Sequence, residues 1–201
     1  MASDGSETKI IAGLGNPGRR YEQTRHNLGF VVVEQLVDRF SAEEPREAFD
    51  ARIWQGRRGE PGQKLLLLQP QTYMNRSGRS VGAAMRFYKV PPENLLVVMD
   101  DLDLQPGQVR VRASGSPGGH KGLADIQRAL GTDEVPRLRI GIGSAPPPME
   151  AADYVLMKIE DEDQRALYAE AVETAARAAE AWVTRGVRWV MDRYNRRAEK
   201  P

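Results

Sequence analysis

Short runs of apolar residues alternate along the chain with longer stretches in which apolar residues recur every three or four positions. The short runs are typical of buried strands, and the longer stretches are typical of helices that bury one face. Six segments fit strands, namely KIIAG (9–13), FDARIWQGR (49–57), KLLLLQ (64–69), ENLLVVMD (93–100), GQVRVRA (107–113) and RLRIGIG (137–143).

Helical spacing predicts helices over residues 28–40 and 122–130, and a third helix that Ser77 caps and that runs to Tyr88. It also predicts C-terminal helices within residues 160–197, with a break between them at TRGV (184–187). GEPGQ (59–63) predicts a turn, and APPP (145–148) interrupts the chain. Strands that alternate with helices predict an α/β fold. We expect one domain over residues 1–201, a sandwich whose mixed, largely parallel central sheet is flanked by helices, with residues 1–8 flexible.

The composition narrows the possible chemistry. The chain has 201 residues, a formal net charge of +1 and no cysteine. Disulfides, thiolate metal sites and cysteine nucleophiles are therefore excluded, and a nucleic-acid partner would require the positive charges to gather on one face. The start, MASDGSETK, lacks the apolar segment of a signal peptide, and no run approaches the roughly 18 apolar residues of a membrane span. We expect a cytoplasmic protein without a membrane partner.

The segment GLGNPG (13–18) has the glycine spacing of a dinucleotide-binding turn. Such a turn opens a helix whose amide groups meet the pyrophosphate. Here Pro17 removes one amide donor, and the polar segment RRYEQTRHN separates the glycines from the predicted helix. The pattern favours the other interpretation, which is the edge of a catalytic pocket.

Polar segments follow four of the predicted strands, and the two histidines, His26 and His120, lie in two of them. Loops at the carboxyl ends of parallel strands converge, so Asp100, at the end of a buried strand, can lie beside His26. A carboxylate that binds one ring nitrogen leaves the other nitrogen free to take a proton from water. Two other interpretations of DDLD (100–103) stay open, a solvated strand end and a magnesium site.

The segment GRSVG (78–82) matches the nucleophile-elbow pattern G-x-S-x-G, and Asp100 and His120 follow it in the order that such hydrolases use. The motif requires a strand that ends directly before it. KLLLLQ ends well before this segment, and Ser80 falls within a predicted helix. The pattern therefore disfavours a serine nucleophile.

Five segments together resemble bacterial-type peptidyl-tRNA hydrolases, in the order of that family: GLGNPGRRYEQTRHNLGF, QPQTYMNRSG, DDLDLQPGQVRVR, GSPGGHKGL and RLRIGIG. The resemblance implies hydrolysis of the ester between a peptide, or an N-blocked aminoacyl group, and the 3′ end of tRNA. It also implies a monomer that works without a cofactor, a metal or a covalent intermediate. GLGNPG then belongs to a substrate-binding turn.

The resemblance assigns roles to individual residues. It implies that His26 is the general base and that Asp100 orients it. The implied substrate-binding residues are Asn16, Tyr21, Tyr73, Met74, Asn75, His120 and Lys121. For tRNA phosphate, the arginines near the predicted site suggest four contacts, Arg19, Arg20, Arg112 and Arg139.

The chain departs from the family pattern at Lys121, where asparagine is common, and at Met99, where histidine is common. Lys121 can contact tRNA phosphate, stabilise an oxyanion, or slow the reaction. The side chain of Met99 is expected to point away from that of Asp100. A catalytically inactive RNA-binding relative remains the alternative to an enzyme, although His26, Asp100 and both asparagines are retained.

Overall fold

The structure is a computed structural model that describes residues 8–42, 44–58 and 63–195. The strands within these residues are β1 Lys9–Gly13, β2 Arg46–Ala48, β3 Ala51–Arg58, β4 Gln63–Pro70, β5 Leu95–Asp101, β6 Val109–Arg112 and β7 Arg137–Gly141. The α-helices are α1 Leu28–Phe40, α2 Ser77–Tyr88, α3 Lys121–Leu130, α4 Ala151–Leu156 and α5 Glu162–Tyr194. Short 3₁₀ turns at Arg19–Tyr21, Arg25–Asn27, Met74–Arg76 and Pro92–Asn94 connect them.

The strands form one mixed sheet in the order β2-β3-β4-β1-β5-β7-β6. Its centre, β4-β1-β5-β7, is parallel, and β3 and β6 are antiparallel to their inner neighbours. Parallel strands covered on both faces are apolar throughout, which explains the continuous runs in β4 and β5. The predicted α/β sandwich with a mixed, largely parallel sheet is confirmed.

Two cores lie on opposite faces of the sheet. Helices α1 and α5 cover one face, where Ile11, Val98 and Leu138 are buried. Helices α2 and α3 cover the other face, where Ala12 and Met99 are buried. Successive side chains of a strand point to opposite faces, so Asp100 lies on the α1/α5 face and Met99 points the other way, as predicted.

The glycines of GLGNPG allow helix α1 to approach strand β1 closely. A Cβ atom on Gly13 would lie 2.1 Å from the carbonyl oxygen of Gly29 in α1, and one on Gly29 would lie 2.5 Å from the amide nitrogen of Leu14. A 3₁₀ turn, and not an α-helix, follows Gly18. These glycines therefore serve strand–helix packing, and the structure gives no support to a dinucleotide site.

Some local predictions require correction. Ser77 is the first residue of α2 and not its cap; Arg76 holds the cap position, and the Ser77 hydroxyl donates to the carbonyl of Met74. Strand β2 and helix α4 were not predicted, because β2 has three residues without apolar alternation and α4 has six residues after a proline-rich segment.

The break in the C-terminal helical region is confirmed, because Gly186 has φ 77° and ψ 170° within α5. Most of the predicted turn at GEPGQ, residues 1–7 of the segment predicted to be flexible, and residues 196 and 197 of the C-terminal helices lie outside the described residues.

Candidate active site

One carboxylate oxygen accepts hydrogen bonds from both histidines. Oδ1 of Asp100 lies 2.9 Å from Nδ1 of His26 and 3.3 Å from Nε2 of His120. Asp100 is only 2% exposed near the end of β5, and the side chains of His26 and His120 are 12% and 7% exposed. The turn before α1 and the loop before α3 deliver the two rings to the carboxyl end of the central strand.

The hydrogen bonds of His120 determine which of its nitrogens carries the proton. The amide N–H of Leu123, in the first turn of α3, donates to Nδ1 of His120 at 3.2 Å. An acceptor nitrogen of a neutral imidazole has no proton, so the proton is on Nε2 and points at Asp100. By the same logic His26 donates from Nδ1, because a carboxylate only accepts. Nε2 of His26 therefore keeps a free lone pair.

The pKa of the Asp100 carboxyl group lies below its usual range. Burial would raise this pKa, but the positive charge of His26 when its ring is protonated, the hydrogen bonds from His120 and His26, and the corresponding charge of His120 together lower it by more. Hydrogen bonds to the charged form favour ionisation. Asp100 stays an acceptor over the whole range in which histidine titrates.

A pocket of about 560 Å³ opens beside the His26–Asp100–His120 cluster. The segment after β4 and the segment around the start of α3 supply polar side chains, and α4 supplies an apolar wall. The lining residues are Asn16, His26, Tyr73, Met74, Asn75, Asp100, Asp101, Leu102, Gly118, Gly119, His120, Lys121, Ala151, Ala152, Val155 and Leu156. Six of the seven predicted substrate-binding residues meet here, the exception being Tyr21.

The amide of Asn16 is held in one orientation. Its Oδ1 accepts from the backbone N–H of Met74 at 2.8 Å, which leaves the Nδ2 donors for other partners. The side chain of Asn27 binds both backbone groups of Asn16, accepting from its N–H at 2.9 Å and donating to its carbonyl at 3.0 Å. Sequence reasoning missed Asn27, although its place next to His26 in a turn was the available signal.

Aromatic side chains lie at the edge of the pocket. Tyr73 is 52% exposed and meets Tyr21 edge to face, with ring centroids 6.4 Å apart. The guanidinium of Arg20 lies 4.6 Å from the centroid of the Tyr21 ring. Tyr21 therefore adjoins the pocket through Tyr73, and Arg19 and Arg20 are exposed beside it.

The arginines of β6 and β7 share one face of the sheet. Register places Arg110 opposite Arg139 and Arg112 opposite Arg137. Arg112 is exposed, whereas Nε of Arg139 donates to Asp101 at 2.5 Å and its side chain is only 13% exposed. The predicted phosphate contact at Arg139 is therefore already engaged by a carboxylate.

Arg137 was not predicted, and it lies at the centre of this basic cluster. It is 1% exposed and donates to the carbonyl of Gly115 at 2.8 Å. Burial, followed by the charges of Arg139 and Arg112, lowers the pKa of Arg137 to about 10. Its Nε and one terminal nitrogen have no hydrogen-bond partner within the described part of the chain.

The structure does not support a magnesium site formed by DDLD or a serine nucleophile at Ser80. The carboxylates of DDLD separate, because Asp100 binds the histidines on one face of the sheet while Asp101 pairs with Arg139 on the other. Ser80 is fully buried in α2. Within the described residues, His26, Asp100 and His120 could bring three ligand atoms within 4.8 Å of one another, but the proton on Nε2 of His120 opposes metal binding there.

Within the described residues, none of the helices combines the length and apolar character needed to cross a membrane.

Comparison with known proteins identifies relatives over nearly the whole chain. The family described as Peptidyl-tRNA hydrolase matches residues 10–201. Proteins named peptidyl-tRNA hydrolase from Rhodopirellula baltica and Symbiobacterium thermophilum are 48% and 45% identical over 187 residues, covering 93% of this chain and 97% and 98% of theirs. A crystal structure of peptidyl-tRNA hydrolase from Acinetobacter baumannii superposes with a TM-score of 0.86 at 37% identity, covering 96% of this chain and 97% of that one.

We predict that Asp100→Asn weakens the pH dependence of stability in acid. Because the folded pKa of Asp100 is depressed, its ionised form stabilises the fold above about pH 4 and this contribution is lost as the pH falls. At pH 7 the variant should lose about 1.5–3 kcal/mol of unfolding free energy, as expected for hydrogen bonds to a charged group. Urea unfolding from pH 7 down to pH 3 measures both effects.

The matched control is Asp103→Asn, an exposed carboxylate two positions beyond Asp101. It should leave the unfolding free energy and its pH slope unchanged. Equal slopes for the parent protein and Asp100→Asn would contradict the depressed pKa.

Proposed function

The chain belongs to the peptidyl-tRNA hydrolase family, and we propose that His26 and Asp100 are the catalytic pair with which it hydrolyses peptidyl-tRNA. The observation that carries this proposal is the hydrogen bond between Nδ1 of His26 and the buried Asp100, from which the tautomer of His26 follows. Its Nδ1 is bound to the buried Asp100, and the ring lines the pocket with Nε2 unprotonated. The function is the cleavage of the ester between the peptide and tRNA, which returns free tRNA to translation.

His26 would act as a general base on water. As Nε2 takes a proton, the water oxygen forms a bond to the ester carbonyl carbon and the carbonyl electrons move onto oxygen. When the tetrahedral intermediate collapses, the bond to the ribose oxygen breaks and the proton from His26 passes to that oxygen. The products are a peptide carboxylic acid and tRNA with a free terminal hydroxyl. Such proton transfer contributes about 10²–10⁴-fold.

Amide groups in the pocket would stabilise the negative charge that develops on the carbonyl oxygen. Asn16 is suited to this role, because its Oδ1 is occupied by Met74 and its Nδ2 donors are left to face a ligand. Asn75 is exposed in the same pocket and would bind the peptide backbone. Fixed donors at a developing oxyanion contribute several kcal/mol in hydrolases generally.

Lys121 would either help to stabilise the negative charge on the carbonyl oxygen or contact the nearest phosphate of the tRNA end. It is exposed at the first position of α3 and lines the pocket beside His120. Its charge favours a tRNA end over a neutral ester, and its ammonium group cannot accept a hydrogen bond.

The tRNA end would approach past the aromatic edge of the pocket. Tyr73 and Tyr21 offer ring faces, and Arg20 adds a cation. Bases of single-stranded RNA stack on aromatic side chains. Arg19 and Arg112 are exposed and would contact phosphate, and the arginines at 110, 137 and 139 would supply the surrounding field. Phosphate contacts carry little sequence information, which suits an enzyme that accepts many tRNAs.

The alternative of an inactive RNA-binding relative has no support. The relatives are named as hydrolases, and His26, Asp100, Asn16 and Asn75 all line one pocket. We further propose that the enzyme works as a monomer in the cytoplasm, where it recovers tRNA from peptidyl-tRNA that has left the ribosome, and that it needs no metal.

The first test of this function is hydrolysis of an N-acetylated aminoacyl-tRNA with a chelator present. The parent protein should release free tRNA at the same rate with and without the chelator. His26→Ala should lose about 10²–10⁴-fold in kcat/KM. Glu22→Gln, an exposed change in the same loop, should stay active. A parent protein that bound tRNA without cleaving it would overturn the proposal, and inhibition by the chelator would overturn the metal-free mechanism.

We predict that Arg112→Gln reduces the salt dependence of kcat/KM. Each lost phosphate contact should lower the slope of log kcat/KM against log salt concentration by about one. Arg177→Gln is the control, since Arg177 is exposed on α5, which covers the other face of the sheet. Equal slopes for the parent protein and Arg112→Gln would exclude this arginine from the RNA surface.

A further inference from the structure

We propose that Arg25 is a positioning residue that fixes the distance between His26 and the α4 wall of the catalytic pocket. The inference rests on the proposed function, because it concerns how the pocket holds its substrate.

The side chain of Arg25 is buried among neutral partners. Arg25 is 5% exposed, and its two terminal nitrogens donate to the carbonyl of Met157 at 3.3 Å and to Oε1 of Gln164 at 2.7 Å. Its guanidinium also lies 4.5 Å from the ring centroid of Tyr154. These groups belong to α4, to the residue that ends it, and to the first turn of α5. One side chain therefore joins both helices to the turn that carries His26.

A buried guanidinium with neutral partners is costly to the fold. Taking a charge out of water is unfavourable unless good hydrogen bonds compensate it, and Nε of Arg25 has no partner within the described part of the chain. An apolar residue would fill such a place at lower cost. What arginine adds is a planar fork that fixes two acceptors and an aromatic ring relative to one another.

The backbone makes the same connection. The amide of Arg25 donates to the carbonyl of Met157 at 3.4 Å, and Thr24 forms an antiparallel bridge with Lys158. The amide of Ile159 then donates to the carbonyl of Gln23 at 2.9 Å. The segment after α4 is therefore paired with the segment before His26.

Helix α4 depends on these contacts for its position. It has six residues, and helices of that length are not stable by themselves in water. Ala151, Ala152, Val155 and Leu156 of α4 form the apolar side of the pocket, opposite its polar groups. A shift of α4 would widen the pocket without touching the His26–Asp100 pair.

The apolar wall is suited to the side chain of the amino acid that carries the ester. In an apolar pocket, the contacts of a single methylene group change the discrimination between substrates by about 10–200-fold. The loss of Arg25 should therefore weaken binding of substrates with a large apolar side chain more than binding of a glycine substrate, which has no side chain to contact the wall.

The test compares N-acetyl-leucyl and N-acetyl-glycyl esters carried on the same tRNA. Arg25→Lys should raise KM for the leucyl substrate about tenfold and for the glycyl substrate by less than about threefold, a difference typical of lost pocket contacts. The pH midpoint of kcat/KM should not move, because His26 and Asp100 are unchanged. Thermal unfolding of each variant is measured in parallel.

Arg39→Lys is the matched control. Arg39 also joins two helices, since it pairs with Glu173 and Glu180 of α5 from its place in α1, but it lies outside the pocket. It should change stability without changing the leucyl-to-glycyl ratio. Gln164→Leu removes one partner of Arg25 and should shift the leucyl-to-glycyl ratio of KM in the same direction as Arg25→Lys. It therefore replaces Arg25→Lys in the experiment if that variant does not fold.

An unchanged ratio in both Arg25→Lys and Gln164→Leu, with an active parent protein, would overturn the positioning role. A parent protein that cleaves neither substrate would instead overturn the proposed function.

Discussion

Both histidines of the chain donate a hydrogen bond to one oxygen of Asp100, and the rest of the site depends on this shared acceptor. The oxygen is buried near the end of a central strand, so it cannot exchange its partners for water. It selects the Nδ1-protonated tautomer of His26, while α3 selects the Nε2-protonated tautomer of His120. One histidine is thereby left with a free basic nitrogen, and the other is left without one.

The fold brings these groups together through close packing. Gly13 and Gly29 let α1 approach β1 at a distance that any Cβ atom would prevent, and the turn that carries His26 precedes α1. Strand alternation then decides which carboxylate meets the histidines. Asp100 points to their face of the sheet, and its neighbour Asp101 points to the face of the arginines.

The sequence allowed prediction of most strands and helices and of the pairing between His26 and Asp100, because these follow from local apolar patterns and from the convergence of strand ends. It did not allow prediction of α4, whose six residues have too short a pattern. The structural roles of Asn27, Arg25 and Arg137 were also missed. Their importance lies in contacts with residues distant along the chain, and neither a polar turn, as for Arg25 and Asn27, nor the start of a strand, as for Arg137, has a local feature that distinguishes such a role.

The formal net charge of the chain is only +1, so the proposed RNA contacts depend on where its charges lie. Positive groups gather on the face of β6 and β7, and within that cluster Arg137 is buried and its pKa is lowered to about 10 by burial and by the charges of Arg139 and Arg112. The carboxylates nearest the site are engaged, Asp100 by the histidines and Asp101 by Arg139. The face of β6 and β7 is therefore more positive than the net charge of the chain suggests.

The most direct test of the shared acceptor is a long-range ¹⁵N NMR spectrum of the two imidazole rings at about pH 8, where free histidine is neutral. The account predicts that His26 carries its proton on Nδ1 and His120 carries its proton on Nε2. A proton on Nε2 of His26, or on Nδ1 of His120, would contradict it, because His26 would then have no free base facing the pocket or His120 could not accept from α3.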